Sequence, residues 1–261
     1  MKAAKAISAL AMLTCIGAVR FSEAAEIRVY STGAPSMAAK AIAASFAASS
    51  GHHLTFTVGQ PATIEGDLAA GDEADVVIVP APVAATLTER GALRAGSVVD
   101  LARVGIGVVV RAGAPAPDIS NTAAIRKLLA DARSVVYPDP DSGGGSAGRA
   151  IAQMIDRMGL TETVRPKLTR TAAIGGGVAL VADGRAEVGL FNISEILPIP
   201  GVAMIGPLPA ELQSYIVFAA AIPARNTAPE PAAAFIRTLA APAAREAWQR
   251  SGMEPVAAQR P

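Results

Sequence analysis

The stretch VYSTGAPSMAAKAIAASFAASSG, residues 29–51, runs from an apolar strand end through a loop of small residues into an alanine-rich helix that a glycine ends. The same order returns in VYPDPDSGGGSAGRAIAQMIDRMG, residues 136–159. This recurrence predicts two structural units of one design. The alternative is that both stretches reflect only the strand, loop and helix order common to all α/β proteins.

A second pair of segments follows the first pair in the same order. LAAGDEADVVIV (68–79) and LVADGRAEVGLF (180–191) each contain a helix end, a glycine turn, an acidic residue and a strand. The predicted elements of the first unit are strands at 27–30, 53–58 and 74–79 and helices at 37–50 and from Thr63. This alternation predicts an α/β fold of two lobes, each a mostly parallel sheet flanked by helices, with a ligand cleft between them.

Later segments predict how the lobes are joined. The strands within 103–113, 198–209 and 214–222 are interpreted as the crossings between lobes. The first lobe is accordingly predicted to comprise residues 25–104 and 206–261, and the second lobe residues 105–205.

The segment 230–256 predicts two short helices that pack on the first lobe. Phe235, Leu239 and Trp248 lie on the faces that we expect to be buried.

The N-terminus predicts an export signal. Lys2 and Lys5 precede an uncharged run at 6–19, and residues 22–24 match the small-x-small pattern of a cleavage site. The run is too short to span a bilayer comfortably. Residues 1–24 are therefore predicted to be a signal peptide, and the mature chain to be periplasmic without membrane insertion.

Cys15, the only cysteine, lies inside this predicted signal. The mature chain is then expected to have no disulfide and no cysteine metal ligand. A lipoprotein anchored through Cys15 is the alternative.

The charge of the mature chain argues against a nucleic-acid partner. Removal of residues 1–24 deletes Lys2, Lys5, Arg20 and Glu23, which leaves 20 basic and 21 acidic residues and changes the formal charge from +1 to −1. No basic stripe with interleaved aromatic residues occurs, and so balanced a charge gives little steering onto DNA or RNA.

We expect a protein of two lobes that binds a small ligand to be a monomer.

Loops at the carboxyl ends of the predicted strands form a candidate binding site, because parallel sheets gather ligands there. Glycines allow close approach, and helix N-termini favour anions. The predicted ligand-binding residues are Ser31, Thr32, Gly33, Gln60, Thr63, Ser142, Gly145, Ser146, Arg170, Gly176, Asn192 and Ser194. Taken singly, each is more typical of a helix cap or a turn. Their common placement predicts binding of a small anion or carboxylate.

Motifs for metals and known catalytic centres do not occur, and the glycine loop DSGGGSAGR (141–149) has no P-loop ending. Residues 143–148 match the letters of G-x-G-x-x-G, but the loop is interpreted as an anion-binding turn and not as a nucleotide fingerprint, so no cofactor and no metal are expected. His52 and His53 are interpreted as solvated turn residues at the sheet end opposite the cleft. Carboxylates near the loops are candidates for an acid or a base: Asp139, Asp141, Glu65, Asp67 and Glu195.

The order of these features resembles the molybdate-binding-protein-like branch of the type II periplasmic solute-binding proteins. The similarity covers nearly the whole mature chain and is carried by segments 68–79, 147–160, 180–198 and 231–255. It implies two α/β lobes joined by hinge strands, a ligand held by hydroxyls and main-chain amides, and an ABC-type permease as the partner.

The same resemblance implies a ligand other than molybdate. In the molybdate binders one serine follows the first strand, another precedes the second helix, and a tyrosine comes late in the chain. The corresponding places here are Ala34, the Gln60-Pro61 pair and Asn192. Loss of these hydroxyls removes donors that a desolvated tetrahedral oxyanion needs. An organic polycarboxylate is therefore favoured over molybdate.

The segment ISEILPIPGVAMIGPLPAELQ (193–213) is similar to a branch that contains a periplasmic aconitate isomerase. That activity moves a proton along an allylic tricarboxylate and needs a base and clamps for the carboxylates. The resemblance implies Arg170 or Arg149 as a clamp and Glu195 or Asp141 as the proton carrier. Two hypotheses follow: a binding protein that delivers a small anion to a transporter, and a cofactor-independent isomerase on the same scaffold.

Overall fold

The computed structural model describes residues 24–140, 145–171 and 176–256. Within these ranges the strands are β1 (Glu26–Ser31), β2 (His53–Val58), β3 (Val76–Pro80), β4 (Val99–Val104), β5 (Ile106–Arg111), β6 (Val135–Pro138), β7 (Leu168–Thr171), β8 (Val188–Asn192), β9 (Val202–Pro207), β10 (Ile216–Ala221) and β11 (Glu254–Pro255). The α-helices are α1 (Gly33–Ser50), α2 (Pro61–Ala70), α3 (Ala81–Glu89), α4 (Thr122–Asp131), α5 (Gly145–Arg157), α6 (Thr161–Val164), α7 (Gly176–Ala182), α8 (Ile193–Ile196), α9 (Pro229–Ala240) and α10 (Arg245–Arg250). Each of these described helices is too short or too polar for a membrane span.

The strands form two mixed sheets, each flanked by helices. The first sheet has the order β11-β4-β10-β3-β1-β2, and the second has the order β7-β6-β8-β5-β9. In the first sheet β2, β1 and β3 are parallel and β10 joins β3 antiparallel. In the second sheet β7, β6 and β8 are parallel and β5 joins β8 antiparallel. The predicted α/β class is confirmed.

The internal repeat explains the matching topology. The unit β1-α1-β2-α2-β3 and the unit β6-α5-β7-α7-β8, which contains the short α6, place their strands in the same order in each sheet. In both units a glycine with positive φ follows the last helix, Gly71 at 98° and Gly184 at 73°. Only glycine adopts this conformation at low cost. The two similar segments found in the sequence are therefore equivalent parts of the two sheets.

The chain crosses between the sheets at two places. β4 of the first sheet leads directly into β5 of the second, and β9 of the second leads through residues 208–215 into β10 of the first. Gln213 connects these crossings, because its Oε1 accepts from the Ile106 amide at 2.8 Å and its Nε2 donates to the Ile106 carbonyl at 3.0 Å. A side-chain amide thus holds both crossings together.

The C-terminal helices α9 and α10 pack on the first sheet, as predicted. Phe235 and Trp248 are fully buried in the same core cluster as Ile27 and Val29 of β1. The Trp248 indole donates a hydrogen bond to the Leu239 carbonyl at 2.9 Å. The second sheet has its own core, built around α4 and α5.

Asp75 fixes the end of the first sheet that lies away from the cleft. Its fully buried carboxylate accepts from the Arg28 amide at 2.9 Å, from Arg28 Nε at 3.0 Å and from Asn226 Nδ2 at 3.1 Å. Arg28 also pairs with the exposed Glu73 at 2.6 Å. These bonds join β1 and β3 to the segment that precedes α9.

Helices α1 and α2 begin earlier than predicted. α1 begins at Gly33 and not at Met37, and α2 begins at Pro61 and not at Thr63. Proline is tolerated in the first helical turn because the N–H that it lacks has no intrahelical partner there.

The prediction that His52 is solvated was wrong. Only 7% of the residue is exposed, and its Nδ1 accepts a hydrogen bond from the Ala25 amide at 3.1 Å. Its ring lies 5.8 Å from that of Phe46. His52 therefore has a structural place beside β1, whereas its neighbour His53 is exposed.

Candidate functional site

A cleft lies between the sheets at the carboxyl ends of their strands. Its walls follow or end β1, β2 and β3 in the first sheet and β6, β7 and β8 in the second. It contains about 570 Å³ of empty space, part of which is open to solvent. The repeats thus bring their loops to one shared crevice.

Several residues proposed from the sequence line this cleft: Thr32, Gly33, Gln60, Gly145, Ser146, Asn192 and Glu195. Ala34 and Pro61, which the resemblance placed where the molybdate binders have serines, also line the cleft. The sequence analysis did not assign the remaining lining residues: Pro80, Pro138, Ala147, Thr171, Phe191, Ile216 and Phe218. Most of the missed residues are apolar, and an apolar residue at a strand end gives no pattern that separates a ligand wall from the core. For Pro138 and Thr171, their position at the end of a strand was the one feature of the sequence that could have indicated a place in the cleft lining.

Other proposed residues lie away from the lining, at least among the described residues. Ser31 is buried and donates to the Thr32 carbonyl at 3.0 Å. Thr63 is exposed on α2, Ser194 is buried in α8, and Gly176 begins α7. Ser142 and Asp141 lie outside the residues that the structure describes.

The arginines considered as carboxylate clamps do not belong to the described lining. Arg170 lies on β7 with 46% of its side chain exposed, and its Nη1 lies 3.6 Å from Asp139 Oδ1. Arg149 is exposed on α5. Within the described ranges, no group of three or more His, Cys, Asp or Glu side chains is arranged to hold a metal.

The helices α1, α2 and α5 direct their N-termini at the cleft, through Gly33, Pro61 and Gly145. Neither α1 nor α2 has a side-chain cap, and the first turns of all three lack acidic residues. The first amides of a helix have no intrahelical acceptor, and the helix dipole adds positive partial charge. The cleft therefore presents uncompensated donors to an anion.

Glycines allow the second lobe to bring its helices this close. A Cβ on Gly148 would lie 2.4 Å from the Pro138 carbonyl oxygen, so α5 is in direct contact with the end of β6. A Cβ on Gly177 would lie 2.5 Å from Phe191 Cζ, which places α7 against the cleft wall. A side chain at either position would push a helix start away from the strand ends.

Glu195 is the only ionisable side chain among the described lining residues. It lies on α8, partly exposed to the cleft but densely surrounded by protein on its other sides. This burial raises its pKa to about 7, and a hydrogen bond from the Asn192 side chain acts in the opposite direction. A group with such a pKa gives up and takes up a proton readily near neutral pH. A strongly perturbed carboxyl in a cleft is typical of a catalytic residue.

Two comparisons of the sequence with known proteins found matches. The family profile described as bacterial extracellular solute-binding protein matches residues 27–254. An aconitate isomerase from a Pseudomonas species is 34% identical over 200 residues, which are 76% of this chain and 74% of that protein.

Solved structures share the fold. The sulfate-binding protein of Mycobacterium tuberculosis H37Rv has a TM-score of 0.75 and 20% identity, with 89% of this chain and 87% of that chain covered. The periplasmic molybdate-binding protein of Azotobacter vinelandii has a TM-score of 0.73 and 20% identity, with 89% of this chain and 100% of that chain covered. These likenesses confirm the two-lobed periplasmic-binding-protein fold. The profile and the isomerase match together show that the chain belongs to the family of bacterial extracellular solute-binding proteins.

Proposed function

We propose that this protein binds an organic polycarboxylate of the aconitate type in the cleft and interconverts its cis and trans forms. Glu195 is the observation that carries the proposal, since it places one carboxyl with a pKa of about 7 in a cleft otherwise suited to anions. In its ionised form this group repels an anionic ligand, which is unfavourable for a carrier. A proton-transfer enzyme requires it. The similarity to an aconitate isomerase supports the same assignment.

The apolar part of the lining supports an organic ligand. Pro61, Pro80 and Pro138 have no N–H to donate, and Phe191 and Phe218 add aromatic carbon. A desolvated sulfate or molybdate needs donors around all of its oxygens. A tricarboxylate carries its charges at the ends of a hydrocarbon skeleton, which suits a cleft with amides on some walls and carbon on others.

The proposed reaction exchanges one carbon–hydrogen bond for another. Glu195 removes a proton from the methylene carbon beside the double bond, and the electron pair spreads over the three allylic carbons. Glu195 then returns the proton to the carbon that was vinylic, so the double bond shifts and the enzyme is regenerated. The amides at the starts of α1, α2 and α5 stabilise the negative charge that develops near the substrate carboxylates. Atoms and electrons balance without a co-reactant.

Isomerisation is tested by incubating the purified protein separately with cis-aconitate and trans-aconitate and following interconversion by chromatography. Glu195→Gln is expected to lower the rate at least about 100-fold, as general acid–base catalysis typically contributes. Glu246→Gln is the matched control, because Glu246 is exposed on α10 and pairs with Arg250. The rate is expected to rise with pH through about 7 as Glu195 ionises. The proposal fails if the unmodified protein interconverts neither isomer, or if Glu195→Gln retains full activity.

The second candidate function is periplasmic capture of a small anion for an inner-membrane ABC-type permease. Membership of an extracellular solute-binding family and the two-lobed fold favour this role. We propose that the lobes are residues 25–104 with 206–261 and residues 105–205, and that they close over the ligand about the two crossings. The predicted signal peptide and a monomeric state belong to this proposal.

A melting-temperature screen separates the two functions. The ligands are molybdate, tungstate, sulfate, citrate and both aconitates, because a ligand that binds only the folded state raises the melting temperature. Stabilisation by an aconitate without turnover favours the carrier. Stabilisation by molybdate or tungstate at micromolar concentration would overturn the preference for an organic ligand.

A further inference from the structure

Asn192 occupies a helix-capping position but does not cap. It ends β8 and stands at the N-cap of α8, where asparagine is among the preferred residues, yet its side chain makes no capping hydrogen bond. Asn121 occupies the same position at α4, and its Oδ1 accepts from the Ala124 amide at 3.0 Å. The side chain of Asn192 is therefore directed elsewhere.

The side-chain amide of Asn192 has one hydrogen-bond partner, and among the described residues its oxygen has none. Only 5% of the residue is exposed, it lines the cleft, and its side chain is hydrogen-bonded to the Glu195 carboxyl. Its Oδ1 is buried and has no hydrogen-bond partner among the described residues. An unsatisfied buried carbonyl oxygen is costly, which points to an acceptor kept for an O–H that is present during function.

We infer that Asn192 is the positioning residue of Glu195 through a complete proton cycle. This inference rests on the proposed function of Glu195. In the ionised state Asn192 Nδ2 donates to the carboxylate. After Glu195 has taken a proton from the substrate, a half-turn of the Asn192 amide brings Oδ1 into position to accept from the new Glu195 O–H. Because Oδ1 has no hydrogen bond to any described residue, the turn breaks no second hydrogen bond within that part of the chain.

Few charged side chains lie on the elements around α8, so the Asn192 and Glu195 pair has few charged neighbours. The main elements packed against α8 are α1, β5, β8 and β9, and the turn at Gly252 also lies close to Ile193. Their described ionisable side chains are Lys40 on α1, which lies 5.8 Å from the Phe56 ring centroid, and Arg111 on β5. Ile106 at the other end of β5 is the residue that pairs with Asn192, so Arg111 is at the far end. β8 and β9 contain none.

The test is a carbon-13 NMR titration of protein labelled at the glutamate side-chain carboxyls, with Glu195→Gln to assign the signal. Asn192→Leu removes donor and acceptor at similar volume, and we expect the Glu195 midpoint to rise by about one pH unit because the hydrogen bond to the charged form is lost. With aconitate as substrate, kcat at pH 7 should fall about fivefold, because a rise of about one unit from a midpoint near pH 7 lowers the ionised fraction of Glu195 from about one half to about one eleventh, while KM changes much less.

Controls separate positioning from stability. Asn121→Leu removes the same side chain from the cap of α4 and should lower the melting temperature while leaving the Glu195 midpoint in place. If Asn192→Leu fails to fold, Asn192→Ser and Asn192→Ala replace it, and the serine hydroxyl, which both donates and accepts, should hold the midpoint closer to that of the unmodified protein. An unchanged midpoint in folded Asn192→Leu, or in both replacements, overturns the inference. The titration needs no turnover, so inactivity of the unmodified protein toward aconitate sinks only the proposed function.

Discussion

Gly148 and Gly66 are helix-interior glycines for which alanine substitution should have opposite effects. Gly66 is exposed on α2, and an added Cβ would meet nothing within 4 Å. Gly148 is buried on α5, where the Cβ would lie 2.4 Å from the Pro138 carbonyl oxygen and 3.0 Å from the Pro140 nitrogen. Both obstacles are backbone atoms, which cannot rotate away.

The magnitudes follow from two competing effects. Alanine in place of glycine within a helix stabilises by about 0.5–1 kcal/mol, mainly because the unfolded chain loses entropy. Gly66→Ala should realise this gain, with a melting temperature about 1–4 °C higher. At Gly148 the same gain is opposed by overpacking, which typically costs about 1–3 kcal/mol. Gly148→Ala should therefore be destabilised by up to about 2.5 kcal/mol.

The clash at Gly148 also predicts weaker ligand binding. Relief of the overlap requires the start of α5 to move away from Pro138 by about 1 Å, and a hydrogen bond lengthened that much is lost. Each lost bond to a charged ligand costs about 1.5–3 kcal/mol, or about tenfold or more in affinity. Gly66→Ala should bind as the unmodified protein does.

Urea unfolding measures the stability difference, and thermal melts with and without trans-aconitate or citrate measure the ligand effect. The reasoning is refuted if Gly148→Ala is at least as stable as Gly66→Ala. It is equally refuted if ligand raises the melting temperature of both variants by the same amount.

Three further changes test other parts of the structure. Asp75→Ala removes the buried acceptor of the Arg28 amide and of Asn226 Nδ2, while Arg28 keeps its ion pair with Glu73, and should destabilise the protein by about 1–3 kcal/mol in urea unfolding. Glu246→Gln, at the exposed ion pair with Arg250, should have no measurable effect. Trp248→Phe loses the hydrogen bond to Leu239 and part of the core volume, and should lower the free energy of unfolding by about 1–3 kcal/mol. The folded-state pKa of Glu195, about 7, exceeds its ordinary value of 4.5, so its contribution to stability is present below pH 4.5 and is lost as pH rises through 7. Glu195→Gln should accordingly be more stable than the unmodified protein at pH 8 by about 3 kcal/mol, and this advantage should vanish in melts at pH 4.

The fold was largely predictable because the repeats and the apolar strands are local patterns. The glycine turns at Gly71 and Gly184 and the buried faces of Phe235 and Trp248 appear in the sequence as spacing and composition. The predicted starts of α1 and α2 were too late, because a run of small residues shows no apolar periodicity. The prolines Pro35 and Pro61 did not mark the helix starts either, since proline is compatible with the first turn of a helix as well as with a loop.

The candidate site was predictable only in outline. Loops at strand ends identified Thr32 and Asn192, but the wall formed by Ile216 and Phe218 comes from a strand that enters the first sheet after the chain has passed through the second. The sequence also offered Asp141, Glu195 and other carboxylates on equal terms. Burial in the folded state distinguishes Glu195, and burial depends on contacts that no short segment contains.

The two repeats differ at the position of Glu195. β3 and β8 hold equivalent places in the two sheets, and each leads into a helix at the cleft, with Pro80 and Asn192 as the respective N-caps. Three residues further on, the first lobe has Val83 where the second has Glu195. We expect binding to need only what the lobes share, which is helix N-termini directed at one cleft. The Asn192 and Glu195 pair has no counterpart in the first lobe, so Glu195→Val makes that site alike in both lobes and should leave a protein that still captures the anion but no longer moves its proton. Retained isomerisation by this variant, measured alongside ligand-induced stabilisation, would place the proton carrier elsewhere in the cleft.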